Sequence, residues 1–447
     1  MRVTWSQPED LIGHELRQAR EEGQDVDEVE RRWFAAGGAP APGRGASQEP
    51  VSDELRTLAL ELLDELDARP RLLGEEPAGF EEIIGQSEPA PARGAHDLPQ
   101  RIAGAWLGRA VGCVLGKPVE SIPREGIRAI AQATGNWPVA GWFTAAGLPD
   151  HVSGRWPWNR ASRPTSLAEN IAGIPEDDDL NFTMLGVALL ERCGSSFDSL
   201  DAAKIWLDLM PPGRIFTAER VAMRNLLEAY LPPVTATRRN PFREWIGARL
   251  RVDAYGWAAS GDPVGAARMA WEDARVSHTG NGVYAAMFMA AAHAASLSET
   301  SSAACAEIGL SVVPVRSRLA EALRTARDLA AANEWEAVVD ELYARYGHYH
   351  WVHAINNTAL VVAALHAYDG DFSGGISAVV QGGWDTDTNG AAVGSILGAT
   401  LGAAGIDERW TAPLGRRFSS SLPGFDGITL DELVQRTVAV TAAPITA

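Results

Sequence analysis

Two short acidic runs carry the residue types that could do chemistry. The first, "PEDDDLNFT" at 175–183, sets Asp177, Asp178 and Asp179 side by side at the opening of an amphipathic helix. A single acid there would cap free N–H groups and complement the helix dipole. Three exceed that need, and they repel one another unless a cation sits between them. The second run, "QGGWDTDTNGAAVGS" at 381–395, alternates Asp385 and Asp387 with Thr386 and Thr388. An Asp-x-Asp-Thr turn presents two carboxylates and a hydroxyl on one side, an all-oxygen set suited to a hard cation such as Mg²⁺, Mn²⁺ or Ca²⁺. A capped turn accounts for the same residues without a metal. An EF-hand does not, because its loop of about twelve residues closing on glutamate is missing. Glu120, after "LGKPVE", gains interest only from its place just beyond an unusual helix.

That helix is "RIAGAWLGRAVGCVLGKPVE" (101–120), with Gly104, Gly108, Gly112 and Gly116 at four-residue intervals. Glycine inside a helix costs about 1 kcal/mol relative to alanine, so four on one face need a reason. The same spacing returns in "GAAVGSILGATLGAAG" (390–405), at Gly390, Gly394, Gly398 and Gly402. Two small-faced helices predict close packing, with a site where they meet. Helical patterns fill the rest of the chain beyond Gln100, and no βαβ alternation or P-loop appears, which predicts an all-α fold.

Residues 1–95 differ in texture. A charged helical stretch (8–34) is followed by "GGAPAPGRGASQEP" (37–50), which reads as a flexible linker. Ser52 caps a second helix whose Leu55, Leu58, Ala59, Leu62, Leu63 and Leu66 draw one apolar stripe. Such a stripe docks on this chain's core or on a protein partner. The division expected is a helical extension with linkers over 1–95 and a main domain over 96–447.

The formal net charge of -19 excludes a general electrostatic footprint for nucleic acid. No apolar run approaches the roughly 20 residues a membrane span needs. Three scattered cysteines with no CxxC pair argue against a disulfide framework or a zinc site and favour a reducing cytoplasm.

Three features resemble the ADP-ribosylglycohydrolase family in order and spacing: "GAWLGRAVGCVLGKPVE", the aspartate run at a helix start, and "GGWDTDTNGAAVGSILGA". The intervening "NPFREWIGARLRVDAYGW", "VSHTGNGVYAAMF" and "HAINNTALVVAAL" look like its bacterial, dinitrogenase-reductase-activating-glycohydrolase-like branch. The resemblance implies a compact multi-helix domain and two divalent cations, Mg²⁺ or Mn²⁺. It implies metal ligation by Glu120, Asp177, Asp178, Asp179, Asp385, Asp387 and Thr388, with Glu120, Asp178 and Asp387 as the catalytic groups. It implies hydrolysis of the ribosyl bond of a free or protein-linked ADP-ribosyl or related conjugate. The alternative is a catalytically weak module that binds ADP-ribose or a nucleotide and acts through its N-terminal helices. Phosphate recognition is expected from backbone amides of "SHTGNGV" (277–283), with His278, Gly280, Asn281 and Gly282. Trp384 is expected to line the ribose pocket, and Arg251 and Asn356 to border the cleft. Cys113 stands where many members carry aspartate, Asp177 where a threonine ligand is common, and Leu180 where a second threonine is common. An extra carboxylate raises cation affinity and can alter which ribosyl bond fits.

Overall fold

The computed structural model describes residues 3–43, 45–69 and 76–441. Among them the regular backbone is helical, apart from a ribbon in which Arg417–Phe418 pairs antiparallel with Ile428–Thr429. The all-α expectation holds. The helices that position the site are, in chain order, α1 (Pro8–Glu21), α2 (Asp53–Asp67), α3 (Leu98–Gly116), α4 (Arg124–Ala133), α5 (Asp178–Cys193), α6 (Gly280–Ser296), α7 (Trp335–Tyr346), α8 (Ala354–Ala367) and α9 (Thr386–Leu401).

A helix that is apolar all round belongs in the middle of a protein. α6 and α9 are of this kind and are buried on nearly every side. The glycine faces of α3 and α9 meet directly. A Cβ added at Gly104, Gly108 or Gly112 would stand 2.0, 2.0 and 1.9 Å from the carbonyl oxygens of Gly398, Gly394 and Gly390. Only hydrogen fits there, so two backbones touch where side chains normally intervene. Many short-range attractions across that contact offset the poor helix propensity of glycine. The pairing is antiparallel, which brings the C-terminal end of α3, leading to Glu120, against the N-terminal end of α9, just after Asp385. Thr386 fastens this end by donating its hydroxyl to the Gly116 carbonyl at 2.8 Å.

The apolar stripe of α2 is taken up within the chain: Ala59, Leu62, Leu63 and Leu66 are buried, and α2 packs on α1. α1 in turn buries Leu11, Ile12, Leu16 and Ala19, together with polar residues that reach later segments. Arg243 donates to Glu15 at 2.8 Å and to Glu22 at 2.7 and 2.8 Å, and Gln18 donates to Glu244 at 2.9 Å. The His14 ring stands edge-on to Phe242 and Trp245, 5.1 and 5.6 Å away. The stretch expected to be a flexible linker is packed along residues 38–41. Trp33 Nε1 donates to the Ala39 carbonyl at 2.8 Å, and the Ala41 backbone lies where a Gly13 side chain would be. Gly13 and Gly38 let the segment lie flat, a tertiary effect that composition does not reveal. In the second connector, residues 70–75 fall outside the described residues. From Glu76 onward it is pinned: Arg318 donates to Glu76 at 2.9 Å, and Tyr284 donates to the Pro77 carbonyl at 2.5 Å.

Candidate metal centre

The turn after α3 (Lys117–Val119) delivers Glu120, whose Oε2 accepts from Asn159 Nδ2 at 2.7 Å. Asp177 caps α5, accepting from the Asp179 amide at 2.9 Å. Its other oxygen meets the Lys117 ammonium, which also donates to the Glu176 carbonyl at 3.0 Å. Asp179 accepts from the Thr388 hydroxyl at 3.1 Å, which ties α5 to α9. Asp385 stands at the N-cap position of α9 and Asp387 lies in its first turn. Two triplets result, Glu120–Asp385–Asp387 and Cys113–Asp177–Asp179, each offering ligand atoms within 4.8 Å of one another. The structure therefore gathers Glu120, Asp177, Asp179, Asp385, Asp387 and Thr388 from distant stretches of sequence.

Asp178 belongs to neither triplet, yet it feels both. Burial raises its carboxyl well above the ordinary range, and Asp177, Asp179, Asp387 and Glu120 push the same way. Burial likewise raises Glu120, with Asp387 and Asp177 adding repulsion. It raises Asp385, aided by Asp387, and Asp387, aided by Asp177. Asp179 rises through burial and Asp177, with Arg109 opposing. Crowded carboxylates that burial and mutual repulsion drive toward the neutral form are what a bound cation would relieve. The donors are hard oxygens, which fits Mg²⁺, Mn²⁺ or Ca²⁺ better than a thiophilic ion. Burial pushes the Cys113 thiol far up, so it stays protonated beside them.

Several residues in this framework carry no local signal in the sequence. Arg109 is buried, donates to the Asp179 carbonyl at 2.8 Å, and grips Asp253 with bonds of 3.0 and 3.1 Å. Arg249 donates to Asn389 at 2.6 Å, and Asn389 donates to Asn357 Oδ1 at 2.7 Å. That same oxygen accepts from the Asp385 amide at 3.1 Å. Among the described residues Arg249 Nε and Nη1 have no hydrogen-bond partner, and burial lowers its pKa to about 10 despite Asp385 and Asp179. The asparagine that touches the Asp385 loop is thus Asn357. Asn356, the neighbour expected at the cleft, donates to the His350 carbonyl at 3.1 Å.

The expected phosphate cradle at 277–283 is filled from within. The Glu244 carboxylate accepts from the Asn281 amide at 2.9 Å and from its side chain at 2.8 Å, and it stands where a Gly280 side chain would be. Arg318 donates to Glu244 at 2.9 and 3.0 Å. Burial works to raise this carboxyl, but Arg318, His353 and the Asn281 donors outweigh it and hold it at about 2. An anion thus already occupies the start of α6, and it is the chain's own. Gly282 faces the Arg243 carbonyl. His278 is buried with Nδ1 2.8 Å from the Ser277 hydroxyl, and burial lowers its pKa far below that of a free imidazole. Arg251 is consumed by Glu219 and Asp273 at 2.6 and 2.5 Å. These residues act as structure around a filled helix start, so none enters the pocket proposed below. Trp384, directly before Asp385, lines a cavity and stacks on Tyr343. Its backbone is left-handed at φ 56, and Ser121, directly after Glu120, is left-handed at φ 63. A non-glycine residue in that region costs about 1 kcal/mol or more, and such strain clusters at working sites.

An all-helical body with an oxygen-ligand cluster where two glycine-faced helices meet defines a candidate metal-dependent hydrolase. The family model described as ADP-ribosylglycohydrolase matches residues 95–444, and the chain belongs to that family of glycosidases. An uncharacterized protein of Archaeoglobus fulgidus is 27% identical over 351 residues, spanning 77% of this chain and 100% of its own length. A solved ADP-ribosylglycohydrolase-related protein complex is similar with a TM-score of 0.44 at 21% identity, covering 77% of this chain and 98% of that one. Among the described residues no helix is long and apolar enough to cross a membrane.

Proposed function

We propose that the chain hydrolyses the ribosyl bond of an ADP-ribosyl or related ribosyl conjugate at a dinuclear Mg²⁺ or Mn²⁺ centre. The observation that carries this is the excess of acids in the buried cluster. Glu120, Asp385 and Asp387 in one triplet and Asp177 and Asp179 in the other, with Asp178 beside both, outnumber the cations Arg109, Lys117, Arg249 and Arg220 that face them, a deficit of positive charge that divalent cations would make good. Low-dielectric surroundings make such a deficit expensive to leave open.

Glu120, Asp177, Asp178, Asp179, Asp385, Asp387 and Thr388 would hold the cations. Bound there, they would supply polarisation of ribose oxygens and acidification of a water. The side chains do the rest. Glu120 is fixed through Oε2 by Asn159, which leaves Oε1 as the oxygen that would face a cation or take a proton from water. Asp178, partly exposed at the start of α5, presents negative charge toward the oxocarbenium-like carbon that forms as the ribosyl bond breaks. Asp387, with one oxygen accepting from the Thr388 amide at 3.0 Å, keeps the other for a ligand.

The test is calorimetric titration of ADP-ribose into the full chain, with Mg²⁺ and again after chelation, beside the Asp385→Ala and Asp387→Ala variants. Binding should require the cation and disappear in both variants. Equal binding in chelator, or turnover of ADP-ribosyl conjugates unchanged in the variants, would refute the proposal.

A further inference from the structure

Beyond the carboxylates, Ser121 and Trp384 turn into a cavity of about 520 Å³. Its other walls include Ile122, Arg124 and Arg128 on one side, with Tyr343 of α7 and Trp351 on the other. The Tyr343 ring lies parallel to Trp384, with centroids 4.3 Å apart and planes 13° apart. Tyr343 donates its hydroxyl to the Gly382 carbonyl at 2.9 Å, so this aromatic wall is fastened to the loop that presents Asp385. Arg124 lies over the Tyr343 ring, 6.0 Å from its centroid. Both guanidinium groups have carboxylate partners on α7, Glu336 and Asp340, which are 46% and 71% exposed. The cavity therefore has an aromatic wall fastened to the loop that leads to Asp385, and guanidinium groups already paired with carboxylates.

Cavities of this size accept small organic ligands, and aromatic walls prefer a ring that stacks over a flexible aliphatic chain. Two of its lining residues, Ser121 and Trp384, are next in sequence to Glu120 and Asp385. That adjacency would place a group lodged there beside the bond the centre would cleave. The start of α6, where an anionic group would otherwise be held, is closed by Glu244.

We propose that this cavity is the leaving-group subsite, and that it takes a planar heteroaromatic ring joined to ribose through a ring nitrogen. The proposal rests on the glycosidase reading above. In the reaction the bond between C1′ and the ring nitrogen breaks and its electron pair stays with the ring. Water supplies hydroxide to C1′, and its proton goes to the ring nitrogen when the conjugate is neutral or to solvent when the ring leaves from a pyridinium cation, so no further reactant is needed.

The experiment uses the full chain with Mg²⁺, nicotinamide as the planar probe and cyclohexanecarboxamide as its saturated counterpart, read by calorimetry and ligand-detected NMR. Nicotinamide should bind at least tenfold more tightly than the saturated ring and remain bound when ADP-ribose is saturating. Ala129→Phe, which fills the cavity from α4, should weaken nicotinamide at least tenfold and leave the Mg²⁺-induced rise in Tm unchanged. Trp351→Leu, a second variant that removes one wall, should weaken it as well. Equal affinity for the two rings, no effect of either variant, or displacement of nicotinamide by ADP-ribose would overturn the assignment. Displacement would place the adenine of ADP-ribose in the cavity instead. Nicotinamide binding without any ADP-ribose binding would support the subsite and sink only the ADP-ribosyl part of the proposed function.

Discussion

Replacing Gly112 by alanine puts a methyl carbon 1.9 Å from the Gly390 carbonyl oxygen. Real Cβ contacts essentially never fall under 3.0 Å, so α3 and α9 must part by roughly 1 Å at that level. Overpacking of this kind costs about 1–3 kcal/mol, against which the better helix propensity of alanine returns about 1. A Tm lower by about 1–4 °C is expected, since a chain this long shifts by roughly 1–2 °C per kcal/mol. The consequence for the site is larger. Metal ligands must be held to within about 0.5 Å, and a 1 Å misplacement costs about 100-fold in turnover. Gly112 lies one turn from the end of α3 that leads to Glu120, opposite the first turns of α9. Gly104→Ala clashes as badly, at 2.0 Å from Gly398, but roughly 18 Å from the site end of the helix at 1.5 Å per residue. Thermal melts with and without Mg²⁺ separate the two. Both variants should lose similar stability, and only Gly112→Ala should lose most of the Mg²⁺-induced rise in Tm. Equal Mg²⁺ responses would show that the helix contact does not set the ligand geometry.

Two further predictions concern the N-terminal segment. Arg243→Met leaves Glu15 and Glu22 buried without their cation and should cost about 3–5 kcal/mol, measured by urea unfolding, with partial recovery when both acids are also made glutamine; a cost under about 1 kcal/mol would mean that α1 is held by its apolar face alone. His14 and His353 are each lowered to about 3 and His350 is lowered far below its ordinary value, chiefly by burial. The unfolded chain takes these protons near pH 6.5 and the folded chain does not, so their contribution is intact above about pH 6.5 and drains away as pH falls toward 3. Tm should therefore drop between pH 7 and pH 5, with a shallower slope in His14→Leu, and parallel slopes would rule out His14 as a source.

The α3–α9 pair is legible in the sequence because its signal is local and periodic. A glycine at every fourth position, repeated on two helices, loses helix propensity at each step and regains it only through close backbone contact. The aspartate runs are legible because like charges adjacent in sequence are costly without a cation. Asn357 escapes such reading, and Asn356 is picked in its place, because neighbours on a helix point about 100° apart; nothing in "INNTA" says which face meets the ligand loop. Glu244 escapes it for a different reason. The motif "SHTGNGV" has the right glycines for an anion, but the carboxylate that fills it lies 37 residues earlier than Asn281. Arg109, Lys117 and Arg249 look like ordinary basic residues until the fold buries them against acids brought from elsewhere.

The seating of α1 also constrains how the chain can be made. Glu22 pairs with Arg243 across 221 residues, and the Glu21 carbonyl accepts from Arg318 across 297. At about 5–20 residues per second, α1 is polymerised roughly 10–45 seconds before Arg243. Through that interval its glutamates stay hydrated and its leucines have only α2 for shelter. A segment made well before its partners is thus among the last of them that can reach its final place.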